Sequence, residues 1–525
     1  MRFGRTGFAA AGLACVIAAS VAIAQPIPPP KLTAPKLTAP PLTKGRADPP
    51  LAPPDTILRD GETPIDLGSA LQLAGVKNPE ILLARERITE AAAVKQFLAA
   101  QALPSLNVGT NYNLHRGPLQ QANGNILKVD RDALYVGLGA GAVGAGTVNI
   151  PGLSYNLNVG TAWFNFLQSK QFVARNIAAA RAVENDTLLR VCLAYTDLLR
   201  AEARRAIAGQ NRTEAAELVR LTEAYAKAGQ GRKADADRAT VELRKRDAEV
   251  MQAEADTLTS SARLGRLLSL ESSVRLRPLD GWAVPAPIVP DPVPVTDLVA
   301  IALLQRPELE ERRAEIQASL YALSSAKLLP FSPNVILGFS SGQFGGGSDL
   351  VSSPPGFTGG NGQKQIGPRF GDFDNRIDFD AVVYFTFQNL GVGNVAIAKG
   401  AASRVRQANL RQQETLDRVR AEVAEADARS RARFAQIDTS AKAVEASRQA
   451  FDEDLARIKG REGLPIETID SLRLLARSRY EYLDAILDYN RAQFQLYVAL
   501  GQPPAVVLAR PVPRRLAKPP APEKP

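Results

Sequence analysis

The sequence predicts a mainly α-helical, internally duplicated protein with four membrane-spanning β-strands per chain. Three observations predict this fold class: an export signal, helical stretches of exceptional length, and four segments of about ten residues in which apolar and polar side chains alternate. Alternation with a period of two is typical of a strand with two unlike faces, and about ten residues is the length of a tilted strand that crosses a bilayer.

The N-terminus predicts an exported protein. Residues 1–24 combine two arginines, an apolar stretch and a small-residue site, which predicts a signal peptide cleaved after Ala24. Cys15 leaves lipid attachment as an alternative, although the residues before it do not form a usual lipobox. Residues 25–60 form a proline-rich leader with a tandem Lys-Leu-Thr-Ala-Pro, which is typical of an extended, disordered spacer.

The first structural repeat is predicted over residues 61–275. Its expected elements are a helix over 67–102, alternating strands over 106–112 and 155–161, a long helix from about 172 to 227, and a returning helix to 270. The Gly-rich stretch 114–150 between the strands is expected to be a loop outside the cell.

The second half repeats this order after a proline-rich connector at 276–294. The repeat covers residues 295–502, with alternating runs at 335–339 and 377–387, a loop over 342–376, a long helix over 395–459 and a returning helix to 501. Landmarks recur after about 224 to 236 residues, which indicates an internal duplication. Residues 503–525 are a basic, proline-rich tail that is expected to be disordered.

The long helix of the second repeat carries a coiled-coil seam. Apolar residues follow 3–4 spacing at Phe434, Ile437, Ala441, Val444, Phe451, Leu455 and Ile458, with Arg448 in the remaining position. At ~1.5 Å per residue, a helix over 395–459 is on the order of 95 Å long. A helix of that length cannot bury itself in a compact core.

Four strands cannot close a barrel around a useful lumen, and an open sheet edge cannot lie in lipid because its N–H and C=O groups would be unsatisfied. Several copies are therefore expected to contribute strands to one membrane β-barrel. The long helices would continue that cylinder away from the membrane.

Composition excludes several function classes. The chain has two cysteines and one histidine, which disfavours Cys/His metal sites and histidine-based catalysis. We therefore predict that the protein is not an enzyme, and we expect no catalytic residue, cofactor or metal. Its 64 Lys+Arg and 54 Asp+Glu are interspersed along helices as on a solvated surface, so no nucleic-acid partner is expected.

The chain resembles the TolC-like outer-membrane efflux protein family over about residues 67–501. The resemblance depends on the duplicated order of elements and on four motifs: Asn78-Pro79-Glu80, Leu103-Pro104-Ser105, Tyr225 to Gly229, and Phe387-Gln388-Asn389-Leu390-Gly391. It implies a homotrimer with a twelve-stranded β-barrel in outer-membrane lipid and a long antiparallel α-helical coiled-coil barrel that forms a periplasmic tunnel.

The resemblance also implies a function and a location. The protein would be the exit duct of a tripartite efflux or type I secretion system in the outer membrane of a Gram-negative bacterium. It would pass small molecules or proteins, and its partners would be a periplasmic adaptor (membrane fusion) protein and an inner-membrane pump of the RND or ABC type.

Two helix-turn-helix tips are implied to be the closable, adaptor-facing end. The first contains Gly229 and Gly231, and the second contains Gly460, Gly463 and Leu464. The glycines are expected to free the backbone to take positive φ where two antiparallel helices reverse.

Asp470, just after the second tip, resembles the acidic residue of the family's periplasmic constriction. Arg473 stands where the family often has a second aspartate, so rings of Asp470 and Arg473 could pair between protomers and hold the gate shut. An ordinary exposed helix carboxylate is the alternative interpretation of Asp470.

Trp163, Phe164 and Phe166 follow the second predicted strand. They predict an aromatic girdle at the bilayer interface, with a packed strand-to-helix junction as the alternative.

The rival function is that of a secreted or periplasmic structural coiled-coil protein without channel activity, in which the alternating segments form a small adhesive sheet. A channel predicts heat-sensitive trimers in outer-membrane fractions, whereas the rival predicts release with the soluble fraction.

Overall fold

The computed structural model describes residues 62–504 except 121–123, 125, 141–149, 272, 281–282, 290–292, 349–372 and 461. The signal peptide with its cleavage site after Ala24, the leader at 25–60 and the tail beyond residue 504 lie outside the described residues. They stay predictions.

The described part of the chain contains eight α-helices, in the same set of four in each half. They are α1 (Leu67–Lys77), α2 (Pro79–Ala100), α3 (Val159–Lys227) and α4 (Lys233–Leu267), then α5 (Val295–Gln305), α6 (Pro307–Leu328), α7 (Val392–Lys459) and α8 (Pro465–Ala499). Helices α3 and α7 have 69 and 68 residues. At ~1.5 Å per residue each is about 100 Å long.

Two helix boundaries differ from those predicted. The helix expected over 67–102 is divided at Asn78, whose backbone is extended because Pro79 begins a new helix. The side-chain oxygen of Asn78 accepts a hydrogen bond from the Glu80 N–H at 2.9 Å and so caps α2. Helix α3 begins at Val159, well before residue 172, because Asn158 caps it in the same way through the Thr161 N–H.

Within the described residues, nine strands form two sheets. A small parallel pair consists of β1 (Thr63–Ile65) and β7 (Leu276–Pro278). The main sheet consists of β2 (Ser105–Leu106), β3 (Val108–Gln120), β4 (Ile126–Ala140), β5 (Ile150–Pro151), β6 (Leu153–Asn158), β8 (Asn334–Ser348) and β9 (Asp374–Tyr384).

The main sheet has four antiparallel positions. Strands β2 and β3 occupy the first position, β6 and β4 share the second, and β8 and β9 are the third and fourth. Strand β8 pairs with β6 through its first half and with β4 through its second half. The four predicted strand positions are therefore present, with different boundaries.

Much of the loop expected over 114–150 is a β-hairpin. Strand β3 extends to Gln120 and pairs with β4 along its whole length. The alternation in β4 is interrupted by four charged residues between positions 128 and 132, so the strand is not evident from the sequence. The predicted runs 155–161 and 377–387 end earlier, at Asn158 and Tyr384. Strand β8 continues past residue 342, where a loop was expected, to Ser348.

The two faces of the sheet differ in polarity. One carries apolar side chains that are mostly exposed, among them Val108, Tyr112, Leu337, Ile377, Phe379 and Val383. The other carries Asn111, Asn113, Asn156, Asn334, Asp378 and Asp380. Among the described residues, neither β3 nor β9 has a strand along its outer edge. The sheet is therefore open, with one apolar face and one polar face.

The four long helices pack through shared apolar layers. The layer nearest the tips contains Leu218, Ala239, Ile458 and Ile469, one from each of α3, α4, α7 and α8. A further layer contains Ala215, Phe451, Leu472 and Leu475. Because each layer draws on both halves of the duplication, the two hairpins form one body.

The predicted seam of α7 is only partly buried. Phe451 and Ile458 are buried, whereas Phe434 is exposed and its ring centroid lies 5.3 Å from that of Tyr489. Arg448 points to solvent, and the neighbouring Ser447 is buried instead. The continuous seam that the spacing predicts is therefore wrong for the middle of α7.

Candidate functional site

The two helical tips lie side by side. The first tip comprises residues 225–232 and the second residues 457–464. The Tyr225 hydroxyl donates a hydrogen bond to the Ile458 carbonyl at 3.2 Å, which joins the tips. A cavity of about 590 Å³ lies between them and is lined by Tyr225, Arg232, Asp235, Arg238, Ile458 and Leu464, among others.

The tip glycines serve two different purposes. Gly229 has φ +67°, as predicted. Gly460 has φ −78°, and Gly231 and Gly463 do not have positive φ either, so the expectation of positive φ is wrong for these three glycines. Gly231 provides room, since a Cβ atom there would lie 3.1 Å from the Tyr225 Cβ. Gly463 does the same beside Arg457, where a Cβ atom would lie 3.0 Å from the Arg457 Cβ. Both close approaches span six residues, so the two tips share this backbone feature.

Leu464 presents an apolar side chain at the second tip. It is the N-cap residue of α8, is 60% exposed, and precedes a proline at the first helical position. Its N–H donates to the Glu467 carboxylate at 3.4 Å, which satisfies a backbone donor at the start of the helix.

The structure brings Asp470 and Arg473 together within one chain. The Arg473 Nη1 atom lies 3.4 Å from Asp470 Oδ1, and the Asp470 side chain is 67% exposed. The shorter contacts of Arg473 are with Glu242 of α4, at 2.9 Å from both Nε and Nη2. Arg473 therefore makes its shortest hydrogen bonds within its own chain.

Glu242 is the functional candidate that sequence reasoning missed. Its side chain is only 1% exposed and accepts a hydrogen bond from Arg246 at 2.6 Å as well as those from Arg473. Glu242 therefore forms ion pairs with two guanidinium groups, one from its own helix and one from α8. The sequence carries one indication of this burial: Glu242 lies three residues after Ala239 and so occupies a seam position of α4.

Further polar contacts tie α8 to α3. Arg479 donates to Asn211 and to both carboxylate oxygens of Glu214, each at 2.7 Å. Closer to the sheet, Arg204 contacts Asp484 at 2.5 Å, and its guanidinium lies 5.7 Å from the centre of the Tyr480 ring. Burial raises the pKa of the Tyr480 hydroxyl. Helix α8 is thus fixed to its own chain along much of its length.

The three aromatic residues of the predicted girdle lie in the first turns of α3. Trp163 is exposed, and its ring centroid is 6.4 Å from that of Phe166. Phe164 is half-buried. They lie on a helix that directly follows β6, and a role at a bilayer interface stays a prediction.

Two searches of the described residues give negative results. None of the helices there combines the length and apolar character needed to cross a bilayer. No group of three or more His, Cys, Asp or Glu side chains in the same part of the chain could hold a metal ion.

No protein-family model and no curated protein matches the sequence. Solved structures do match it. The outer-membrane channel OprN is 19% identical with a TM-score of 0.64, and the match covers 83% of this chain and 89% of OprN. The CmeC outer-membrane channel of Campylobacter jejuni is 14% identical with a TM-score of 0.65, covering 83% and 85%. The outer-membrane protein VceC of Vibrio cholerae is 15% identical with a TM-score of 0.63, covering 83% and 96%.

The chain therefore has the fold of the TolC-like outer-membrane channels. The resemblance inferred from the duplicated order of elements is confirmed at the level of the fold.

Proposed function

We propose that this protein is an outer-membrane channel, the exit duct of a tripartite efflux or type I secretion system. The observation that carries the proposal is the open sheet, which has one exposed apolar face, one polar face and no strand on either outer edge among the described residues. Such a sheet can lie in lipid only when its edges are paired and its polar face lines an aqueous space. The likeness to solved outer-membrane channels supports the same function.

Three copies complete the sheet in this proposal. Strand directions alternate across the four positions, so β9 of one copy runs antiparallel to β2 and β3 of the next. Three sheets then give a closed barrel of twelve strands with no edge in lipid. Helices α3, α4, α7 and α8 continue the barrel as a tunnel about 100 Å long, and the two tips face a periplasmic adaptor and an RND or ABC pump.

The gate in this proposal is a ring of three Asp470 carboxylates. Because Glu242 holds Arg473 within its own chain, Asp470 stays mostly exposed, and in the trimer proposed here its carboxylate would face the axis. This revises the interpretation from sequence, in which Arg473 pairs with Asp470 of a neighbouring copy. The ring favours cations at the periplasmic end of the duct.

Two substitutions in β9 test the proposal against the rival coiled-coil function. Phe379→Arg places a charge on the apolar face, and Val382→Arg places the same charge on the polar face of the same strand. An arginine facing lipid costs roughly 2–4 kcal/mol at mid-depth of a bilayer, whereas one facing the lumen is tolerated.

We expect the native chain and Val382→Arg to give heat-sensitive trimers in the outer-membrane fraction and discrete conductance in planar bilayers. Phe379→Arg should lose most of its trimer. Equal behaviour of the two variants, with the protein in the soluble fraction and no conductance, would instead establish the coiled-coil function.

A further inference from the structure

A short segment after β9 holds a leucine in an unusual position. Residues 385–391, which we call the β9 elbow, connect β9 to α7. Leu390 is 98% exposed with φ +57°, and Asn389 before it has φ +49°. Left-handed backbone is unfavourable for residues other than glycine, so two in succession need support from their surroundings. A fully exposed leucine gives no such support within this chain.

The elbow is nevertheless fixed in place. The Gln388 N–H donates to Asn394 Oδ1 at 2.8 Å, and Asn394 itself is buried. A Cβ atom at position 393 would lie 3.0 Å from the Gln388 carbonyl oxygen, so the chain needs glycine there. The ordered backbone thus holds Phe387 and Leu390 outward.

A groove lined by apolar side chains and by polar ones such as Gln101, Thr161 and Asn165 lies towards the opposite edge of the sheet. This junction groove, between the end of α2 and the start of α3, has a volume of about 580 Å³. Its lining includes Phe97, Leu103, Tyr155, Leu157 and Ala162. Phe97 and Leu103 are both more than half exposed. Strand β2 ends at this point, so residues 155–158 of β6 have no strand neighbour on that side among the described residues.

The strand register puts the elbow and the groove at the same end of the sheet. Asn158, Asn334 and Tyr384 lie in one row across the sheet, and the elbow begins directly after Tyr384. Ser105, the first residue of β2, pairs with Ser154, four residues before Asn158 in β6. A neighbouring β9 that pairs with β2 and β3 therefore brings its elbow to the end of the sheet at which the groove lies, with the stagger between copies set by closure of the barrel.

We propose that the β9 elbow of one copy inserts Phe387 and Leu390 into the junction groove of the next copy. The contact closes the ring below the barrel, where the strands have ended and the helices have begun. This contact depends on the trimer proposed above. It also accounts for the left-handed backbone of Asn389 and Leu390, which directs the Leu390 side chain towards the neighbouring subunit.

A disulfide tests the contact directly. In the double variant Leu103→Cys and Leu390→Cys, the first site lies beside β2 at one edge of the sheet and the second follows β9 at the other. The first and fourth strand positions are three spacings of ~4.8 Å apart, beyond the reach of a disulfide, so a disulfide can join only two copies. Cys192 can stay, because burial raises the pKa of its thiol to about 12 and leaves it unreactive. Under oxidation of outer-membrane fractions, we expect covalent dimers and trimers on non-reducing gels. The control pair Leu410→Cys with Leu103→Cys, which places the second thiol on an exposed site of α7, should give none.

Two glycine variants separate the side chain from the backbone. Both Asn389→Gly and Leu390→Gly relieve left-handed strain, but only the second removes the apolar side chain. We expect Leu390→Gly to lower the temperature at which trimers dissociate, and Asn389→Gly to leave it unchanged or raise it.

The outcomes distinguish the two proposals. Trimers without the Leu103–Leu390 cross-link, or trimers of Leu390→Gly as heat-resistant as the native ones, overturn the elbow contact and leave the channel intact. Such a result would follow if lipid filled the groove. A native protein that is monomeric in the membrane overturns both.

Discussion

The returning helices of the two halves have the same length and different surroundings. Helices α4 and α8 each contain 35 residues, but α4 has 8 buried residues and α8 has 18. Helix α8 packs between α7 and α3 of its own chain, whereas most of α4 beyond its contact with α3 is exposed. The two halves share the same order of helices, but the position of each helix in the chain determines which of its faces are buried.

Core truncation tests this difference with the largest expected effect. Leu472 of α8 is fully buried, so Leu472→Ala should lower the free energy of unfolding by about 2–5 kcal/mol. Leu258→Ala on the exposed side of α4 should change it by less than about 0.5 kcal/mol. Urea denaturation followed by circular dichroism in detergent measures both. Similar losses in the two variants would mean that α4 is as much core as α8.

The buried carboxylate of α4 is the next test. Glu242→Gln leaves the buried Arg246 without its closest anion, so we expect a loss of roughly 3 kcal/mol. The matched control is Glu249→Gln, which removes the other, partly exposed partner of Arg246 and should cost less than about 1 kcal/mol. The same denaturation assay applies. If Glu242→Gln left the free energy of unfolding unchanged, the positions of Arg473 and Arg246 would not depend on this residue.

Asp470 should matter for conduction and hardly for folding. Because its side chain is mostly exposed, Asp470→Asn should change the unfolding free energy by less than about 0.5 kcal/mol. In planar bilayers under a salt gradient, we expect the reversal potential to shift towards lower cation preference. Glu481→Gln, another exposed carboxylate of α8, is the control. Equal shifts in the two variants would remove Asp470 from the constriction.

The smallest expected effect concerns the charged residues next to the repeated proline, Glu80 after Pro79 and Arg306 before Pro307. In the first half Glu80 pairs with Arg190 of α3, and in the second half Arg306 pairs with Glu422 of α7. The hydrogen bond from Arg190 lowers the pKa of Glu80 below its usual 4.5. The pair therefore stabilises the fold above that value, and its contribution is lost as the pH falls through the lowered pKa.

We expect Glu80→Gln to cost about 0.5 kcal/mol at neutral pH and nothing at an acidic pH below the lowered pKa, where the native carboxyl is also protonated. Denaturation at the two pH values measures this. A cost that persists in acid would assign the effect to packing rather than charge.

Periodicity in the sequence predicts the elements that depend on local chemistry. Pro79 and Pro307 mark helix starts, and alternation over 377–383 marks β9. Strand β4 escapes prediction because charged residues interrupt its alternation. One of its two partner strands, β8, is also distant in the sequence.

The candidate site shows the same limit. Asp470 and the tip glycines can be found from their places in the repeat, but the partner of Arg473 cannot. Glu242 lies 231 residues away in the chain, and only the packing of α4 against α8 brings the two together. The sequence shows a charged residue at a seam position of α4, but it does not show that Arg473 is the partner of that residue.

Because α3 and α7 are long, a small rotation at one end of these helices produces a large displacement at the other end. Over about 100 Å, a tilt of about 3° at the sheet end displaces the far end by about 5 Å. Because Tyr225 links the two tips, such a displacement carries both hairpins of one chain together. In the proposed duct, small rotations of whole subunits would change the periplasmic aperture, while the apolar layers and arginine pairs inside each chain keep their contacts.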